Sequence, residues 1–137
     1  MKLNKTIRLE VTPSFDKTVS ATVHGTVEGT PEKYIVKFDA ILLHSLDRYT
    51  FEYENDTVSL FRKGEMSLNL YIKRGERTVA RVGTPFGVIE TGYCGRRIVS
   101  QIDKDLNGTL ECTYATDRDW EEKAVFKYKL IITEDKE

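Results

Sequence analysis

The sequence predicts an all-β domain, and three patterns support this prediction. Apolar and polar side chains alternate along most of the chain, β-branched and aromatic residues concentrate in short runs, and Gly, Pro, Asn and Asp separate those runs. The three- and four-residue spacing of amphipathic helices is almost absent. No linker or low-complexity segment divides the 137 residues, so we expect one domain over residues 1–137 with a single core.

The alternating runs give the predicted strands in order. They lie near residues 6–12, 18–27, 34–43, 48–54, 57–62, 65–73, 77–82, 86–94, 97–106, 109–116 and 124–133. Turn-forming residues separate consecutive runs at hairpin spacing, as in the segments YENDT, RKGE, KRGE, CGRR and LNGT. This order is typical of an up-and-down meander, in which each strand pairs with its neighbours in sequence.

Several of these runs show which face of the strand is buried. Side chains two residues apart point to the same side of a strand. The faces that are uniformly apolar consist of Val19, Ala21, Val23 and Val27; Tyr49, Phe51 and Tyr53; Met66, Leu68, Leu70 and Ile72; and Phe126, Tyr128, Leu130 and Ile132.

The number of strands indicates whether the sheet is open or closed. An open sheet of so many short antiparallel strands would leave two exposed edges, and closure into a barrel removes both. We therefore predict a single closed antiparallel up-and-down β-barrel of about eight to ten strands. A β-sandwich is the alternative at this point. A barrel of this size is either filled by its own side chains or just wide enough for one small ligand.

Charge and hydropathy exclude some partners. Lys and Arg number 21 against 22 Asp and Glu, so the chain lacks the excess positive charge that favours nucleic acid. The start of the chain alternates where a secretion signal would have an apolar core, and no apolar run reaches bilayer-spanning length. We predict a cytoplasmic protein that binds neither nucleic acid nor membrane. Cys94 and Cys112 are expected to be free thiols.

The middle of the chain carries a family resemblance. The segment SLFRKGEMSLNLYIKRGERTVARVGTPFGVIETGY, residues 59–93, resembles the central block of the YwiB-like bacterial β-barrel proteins, a family of unknown function. The pattern consists of Arg62-x-Gly64 at a hairpin, Gly75 at the next hairpin, Thr78 before a short strand, Thr84-Pro85-Phe86-Gly87, and an apolar run that ends in Glu90 and Thr91. The resemblance implies a calycin-like, lipocalin-like barrel rather than a sandwich. It implies no catalytic residue.

The two glycines around Pro85 invite comparison with a phosphate-binding loop. No helical pattern follows the segment GTPFG and no Lys-Ser/Thr pair ends it, so it does not match a nucleotide site. Pro85 cannot donate to a sheet ladder, and we expect this segment to be a tight bend between the strands 77–82 and 86–94.

One acidic segment resembles a calcium loop. The segment DKDLNGTLECTY, residues 103–114, begins like an EF-hand loop, but Tyr114 occupies the position of the bidentate Glu and the flanking sequence alternates like strands. The favoured interpretation is a hairpin with Asn107-Gly108 in a type I′ turn. His24 and His44 have no ligand at metal-binding spacing on their own strands. We therefore predict no metal and no cofactor.

Catalysis has no positive signal in the sequence. There is no G-x-S-x-G and no local Cys-His signature, and a nucleophile needs a neighbouring base held by a third group. The sequence thus leaves enzyme activity undecided and favours its absence.

Some charged residues share the faces of apolar neighbours and could point into the barrel. Arg62 shares the face of Leu60, Arg81 that of Val79, and Glu90 that of Val88. A buried charge must be paired, so an Arg-carboxylate contact in the barrel mouth is a hypothesis. Three interpretations remain open: a plug that ties strands together, strand ends in water, or an anion site on Arg62 or Arg81 with aromatic rings along the apolar part of a ligand. The candidate ligand-binding residues are Arg62, Arg81, Glu90, Phe51, Tyr53 and Tyr128.

Two functions from different classes are therefore compared. The first is a binding protein that holds a small, partly apolar ligand in its barrel, an expectation that rests on fold analogy. The alternative is a structural or regulatory protein-interaction domain whose barrel is filled by side chains. The sequence predicts neither the ligand nor the oligomeric state.

Overall fold

The structure, a computed structural model, describes residues 2–13, 17–42, 45–64, 67–118 and 121–135. All of its regular elements are β-strands. They are β1 Lys2–Thr12, β2 Val19–Thr30, β3 Lys33–Leu42, β4 Ser45–Glu54, β5 Thr57–Lys63, β6 Ser67–Lys73, β7 Arg77–Thr84, β8 Gly87–Ile102, β9 Gly108–Arg118 and β10 Glu121–Glu134. In this part of the chain, no helix is long and apolar enough to cross a membrane.

The ten strands form one closed barrel. Each strand pairs antiparallel with its neighbours in sequence, and β1 pairs with β10 from Lys5↔Glu134 to Thr12↔Lys127. Closure leaves no edge at the join between the two ends of the chain, as expected from the strand count. The predicted closed antiparallel up-and-down barrel is confirmed, and the sandwich alternative is wrong.

Two predicted runs, 86–94 and 97–106, form one long strand instead of a hairpin. The predicted turn at the segment CGRR is wrong: β8 continues through it with a register shift between Gly95 and Arg97. Such a bulge adds one residue to one strand and bends it. Gly95 is needed at this bend, because a Cβ atom there would overlap the carbonyl oxygen of Lys73 on β6.

The β8–β9 hairpin also differs from its prediction. The turn is not a type I′ turn at Asn107-Gly108, because Ile102 pairs with Gly108 and residues 103–107 form the loop. Asp103 Oδ1 accepts hydrogen bonds from the backbone N–H groups of Asp105, at 2.9 Å, and Asn107, at 3.0 Å. Leu106 takes a positive φ of 63° and is 0% exposed, so burial of its side chain in the core offsets a backbone conformation that leucine rarely adopts.

Aromatic side chains fill much of the barrel interior. The Phe38 ring stacks on those of Tyr49 and Phe51, with centroids 5.2 and 6.0 Å apart. Across the barrel, Tyr114 stacks on Phe126 at 5.3 Å. Phe38, Tyr49, Phe51 and Tyr114 are all at most 6% exposed, so these rings pack as a continuous core and not as the wall of a wide channel.

The pairing of β6 with β7 is short, and a tyrosine extends it. Only three residue pairs join these strands, from Ser67↔Gly83 to Asn69↔Arg81. Beyond them, the Tyr93 hydroxyl accepts a hydrogen bond from the Tyr71 N–H at 2.6 Å and donates one to the Tyr71 carbonyl at 2.8 Å. A side chain of β8 thus occupies the place of a backbone partner for β6, which keeps this seam of the barrel closed.

Tyr93→Phe should therefore lower the free energy of unfolding by about 1–2 kcal/mol, because both backbone groups of Tyr71 lose their partner. Urea unfolding measures the loss, and amide hydrogen exchange of Tyr71 should accelerate. Tyr71→Phe is the matched control, since that side chain is 45% exposed on the outer face. Equal stability of the two variants would show that the Tyr93 hydroxyl does not hold the seam.

Candidate functional site

One end of the barrel has an apolar, incompletely buried lining. Because the strands alternate in direction, the turns after β1, β3, β5, β7 and β9 lie at the same end, called here the upper end. Several inward-facing apolar residues near this end are only partly buried, although Leu42 at the end of β3 is buried. These partly buried residues, called the mouth, are Val11, Val19, Leu68, Val82 and Phe126.

A buried ion pair lies beside the mouth. Arg62, near the end of β5, shares the inward face of Leu60, and Leu68 of the mouth is its pairing partner on β6. Its Nε donates to Asp47 Oδ2 at 2.6 Å and its Nη2 lies 2.6 Å from the same oxygen. Ser45 donates to Asp47 Oδ1 at 3.0 Å. Side-chain exposure is 28% for Arg62 and 1% for Asp47, so the cation is partly accessible to solvent and the carboxylate is not.

Three tyrosines surround this pair. The Arg62 guanidinium carbon lies 5.5 Å from the centre of the Tyr49 ring, a cation–π distance. The guanidinium also donates to the Tyr128 hydroxyl, which shares a hydrogen bond with Tyr114. These five residues are called the Arg62 cluster: Asp47, Tyr49, Arg62, Tyr114 and Tyr128.

The environment keeps the phenols protonated and the guanidinium charged. Burial raises the pKa of Tyr49 to about 12, although Arg62 opposes the shift. Burial likewise raises the pKa of Tyr128 and that of Tyr114 above the ordinary value. Burial alone would lower the pKa of Arg62, but Tyr49, the hydrogen bond to Asp47 and Tyr128 together raise it. At neutral pH the cluster therefore presents hydroxyl and N–H donors.

The Tyr49 hydroxyl has an unusual environment. It is fully buried and has no hydrogen-bond partner among the described residues. Most buried hydroxyl groups in proteins are hydrogen-bonded, since an unsatisfied one costs about 1–3 kcal/mol. A donor beside a charged arginine near an apolar mouth is therefore the most distinctive chemical feature of this interior.

Comparison with known proteins identifies the family. The family model described as a domain of unknown function, DUF1934, matches residues 3–132. The chain belongs to the DUF1934 family. It also matches the crystal structure of the YwiB protein from Bacillus subtilis, with a TM-score of 0.77 and 14% identity over 98% of this chain and 94% of that chain. At that identity the likeness shows the fold alone. No curated protein matches the chain.

In this DUF1934 barrel, half of the predicted ligand-binding residues lie in or against the Arg62 cluster. Arg62 and Tyr128 belong to it, and Phe51 stacks on Tyr49 and meets Tyr128 edge-on with centroids 6.0 Å apart. The two-residue alternation that predicted their inward direction is confirmed for these three. Tyr53 points inward near the opposite end, where it stacks on Tyr34 at 5.2 Å.

The predicted inward direction of Arg81 and Glu90 is wrong. Their side chains are 71% and 63% exposed and form an ion pair of 3.7 Å on the outer face of β7 and β8. The apolar neighbours that suggested an inward face, Val79 and Val88, are themselves 49% and 60% exposed. Apolar parity misleads here because the inward face of β7 carries Ala80, which is 3% exposed, and Val79 and Arg81 lie on the opposite, outward face.

Sequence reasoning missed Asp47 and Tyr114. Asp47 shares the face of Tyr49 and Phe51 by two-residue alternation, so the signal for its inward direction was present. Its pairing with Arg62 depends on the β4–β5 register, which places Tyr49 opposite Arg62. The role of Tyr114 depends on the contact of its partner Tyr128 on β10 with Arg62 on β5, across the barrel, which no local pattern reveals.

In the described part of this family member, the residues that could bind a metal or react as a thiol offer little chemistry. No group of three or more His, Cys, Asp and Glu side chains there could hold a metal ion. The carboxylate of Asp103, first in the calcium-like segment, accepts backbone hydrogen bonds of its own turn. Cys94 and Cys112 are free thiols, and burial raises the pKa of Cys112 to about 12, which keeps that thiol protonated.

Proposed function

We propose that this protein binds a small, partly apolar ligand in the upper end of its barrel, with an oxygen-bearing head group on the Arg62 cluster. The observation that supports this most directly is the buried Tyr49 hydroxyl, which has no partner among the described residues and belongs to a ring whose centre lies 5.5 Å from the Arg62 guanidinium carbon. A ligand oxygen could accept hydrogen bonds from both groups and so satisfy the orphaned hydroxyl.

The charges of Arg62 and Asp47 restrict which ligand head groups the cluster can bind. Arg62 favours a carboxylate, which a guanidinium binds in a planar, directional way. Asp47 already balances the single positive charge of Arg62, so a bound carboxylate would be held by hydrogen bonds from the guanidinium and the phenols and not by net charge, and a dianion such as a phosphate is disfavoured. The three phenols stay protonated and supply neutral donors. A monocarboxylic acid fits this balance best.

The apolar part of the ligand has a matching surface. The mouth residues Val11, Leu68 and Phe126 face inward and are partly buried. The packed rings of Phe38 and Phe51 fill the middle of the barrel, so the ligand would occupy the end of the lumen and not its full length. A short hydrocarbon or a single aromatic ring is consistent with this placement.

A thermal-shift series with short-chain, medium-chain and aromatic monocarboxylic acids tests this proposal. An acid at a hundred times its dissociation constant should stabilise the protein by about 2.7 kcal/mol. Tyr49→Phe should abolish that shift while leaving the free protein at least as stable as the original, because the lost hydroxyl has no described partner. Tyr71→Phe, on the exposed outer face, should keep the full shift.

Two results would count against the proposal. If none of the acids shifts the melting temperature, the Arg62 cluster acts only as a plug that ties strands together. If the Tyr49→Phe variant responds as the original does, the acid binds elsewhere on the barrel.

A further inference from the structure

Among the described residues, the end of the β7–β8 hairpin has one strand edge without a partner strand. β8 pairs with β7 from Arg77↔Cys94 to Thr84↔Gly87, but its described pairing with β9 begins only at Tyr93↔Thr116. The segment 87–92 thus has a strand partner on one side only within the described residues. Every second residue there directs its N–H and C=O groups away from β7, toward a position where another strand could pair.

The side chains along this edge are unusually apolar for a solvent-exposed strand. Phe86, at the turn, is 100% exposed, and Val88 and Ile89 are 60% and 55% exposed. Natural edges are usually protected by lysine, proline within the strand, or bulges. The one charge on this segment, Glu90, is offset by Arg81 on β7. An edge of this kind favours pairing with an extended strand.

We propose that this edge pairs antiparallel with the same edge of a second copy of the chain, around a two-fold axis at Ile89. In an antiparallel pair, opposed residues point to the same face of the sheet. A two-fold axis perpendicular to the sheet must therefore pass midway between two copies of the same residue. Centring on Ile89 sets the two isoleucines opposite each other and each Glu90 opposite a Val88.

Charge disfavours the neighbouring register centred on Glu90. An axis at Glu90 would place two carboxylates directly opposite, which destabilises a strand pair. With the axis at Ile89 the centre is apolar, no like charges are opposed, and each Glu90 keeps its Arg81 partner. The edge is therefore self-complementary, and this favours a second copy over an unrelated strand as its occupant. The inference is independent of ligand binding.

Disulfide trapping tests the interface and its register together. In the proposed dimer the Cα atoms of the two Ile89 residues lie about 4.5–5.5 Å apart, within the range that a disulfide spans. Each Val88 lies one position from the axis, so the two are two positions apart along the strands and roughly 8 Å from each other, which is too far. Under mild oxidation Ile89→Cys should cross-link nearly completely into covalent dimers, and Val88→Cys should cross-link several-fold less.

Light scattering after size exclusion supplies the second measurement. The original protein should elute with the mass of a dimer at high micromolar concentration. Ile89→Arg should give a monomer, because two charges would face each other, whereas Val79→Arg, exposed on β7 away from the open edge, should remain a dimer. A monomeric mass for the original protein, or equal cross-linking of the two cysteine variants, would overturn the proposal.

Discussion

Replacing Arg62 by methionine should lower the free energy of unfolding by about 3 kcal/mol, within the range found when one partner of a buried ion pair is removed. Asp47 is 1% exposed, and its carboxylate loses the cation that contacts Oδ2 at 2.6 Å. Ser45 remains as a donor but carries no charge. Methionine keeps most of the apolar volume of the arginine stem, so the loss reflects the stranded charge more than a cavity.

Urea unfolding with a matched pair separates this effect from the general loss of an arginine. Arg48 on β4 forms an ion pair with Asp39 at 3.1 Å, but both side chains are more than half exposed. Arg48→Met should therefore change the free energy of unfolding by no more than about 0.5 kcal/mol. If the two arginine variants lose the same stability, Asp47 does not depend on Arg62 for its burial.

Removing both partners of the buried pair gives a further check. The double variant Asp47→Leu with Arg62→Met replaces the ion pair by apolar groups, which often restores stability. It should be more stable than Arg62→Met alone. A double variant as unstable as the sum of its single changes would mean that the two side chains act independently.

The sequence predicts the barrel well because its physical requirements are local and repeated. Alternation shows which side of each strand is dry, turn residues set the meander, and the strand count favours closure. The predicted turns are wrong where packing against the rest of the barrel overrides a local turn preference. Asn107-Gly108 is a strong hairpin signal, yet burial of Leu106 shifts the turn to residues 103–107. The segment CGRR resembles a turn, yet contact with β6 makes it a bulge.

The candidate site is only partly predictable for a related reason. Arg62 and Tyr128 follow from parity on their own strands, since both strands line the interior along their central length. Arg81 and Glu90 obey the same parity, but they pair with each other on the outer face of β7 and β8, since Ala80 on the other face is 3% exposed. Which face of a strand points inward depends on its pairing with neighbouring strands, and the exposed Val79 and Val88 make the outer face of this hairpin resemble an inner one.

Gly64→Ala should cost about 3 kcal/mol or more, because it removes the same buried pair by a different route. A Cβ atom at residue 64 would overlap Asp47 Oδ1 and crowd its carboxyl carbon. The effect is steric, since Gly64 is not among the glycines with positive φ. Gly75→Ala is the control: that glycine has a φ of 77° and no atom within 4 Å of an added Cβ, so only a backbone cost of about 1–2 kcal/mol is expected.

A double-mutant cycle, read by urea unfolding, assigns the clash to its partner. In an Asp47→Ala background the obstructing carboxylate is gone, so adding Gly64→Ala should cost less than about 1 kcal/mol. If instead the two changes add, residue 64 is constrained by something other than Asp47. The non-additive result would explain the Arg62-x-Gly64 pattern physically: the arginine supplies the charge that Asp47 needs, and the glycine supplies the space that its carboxylate occupies.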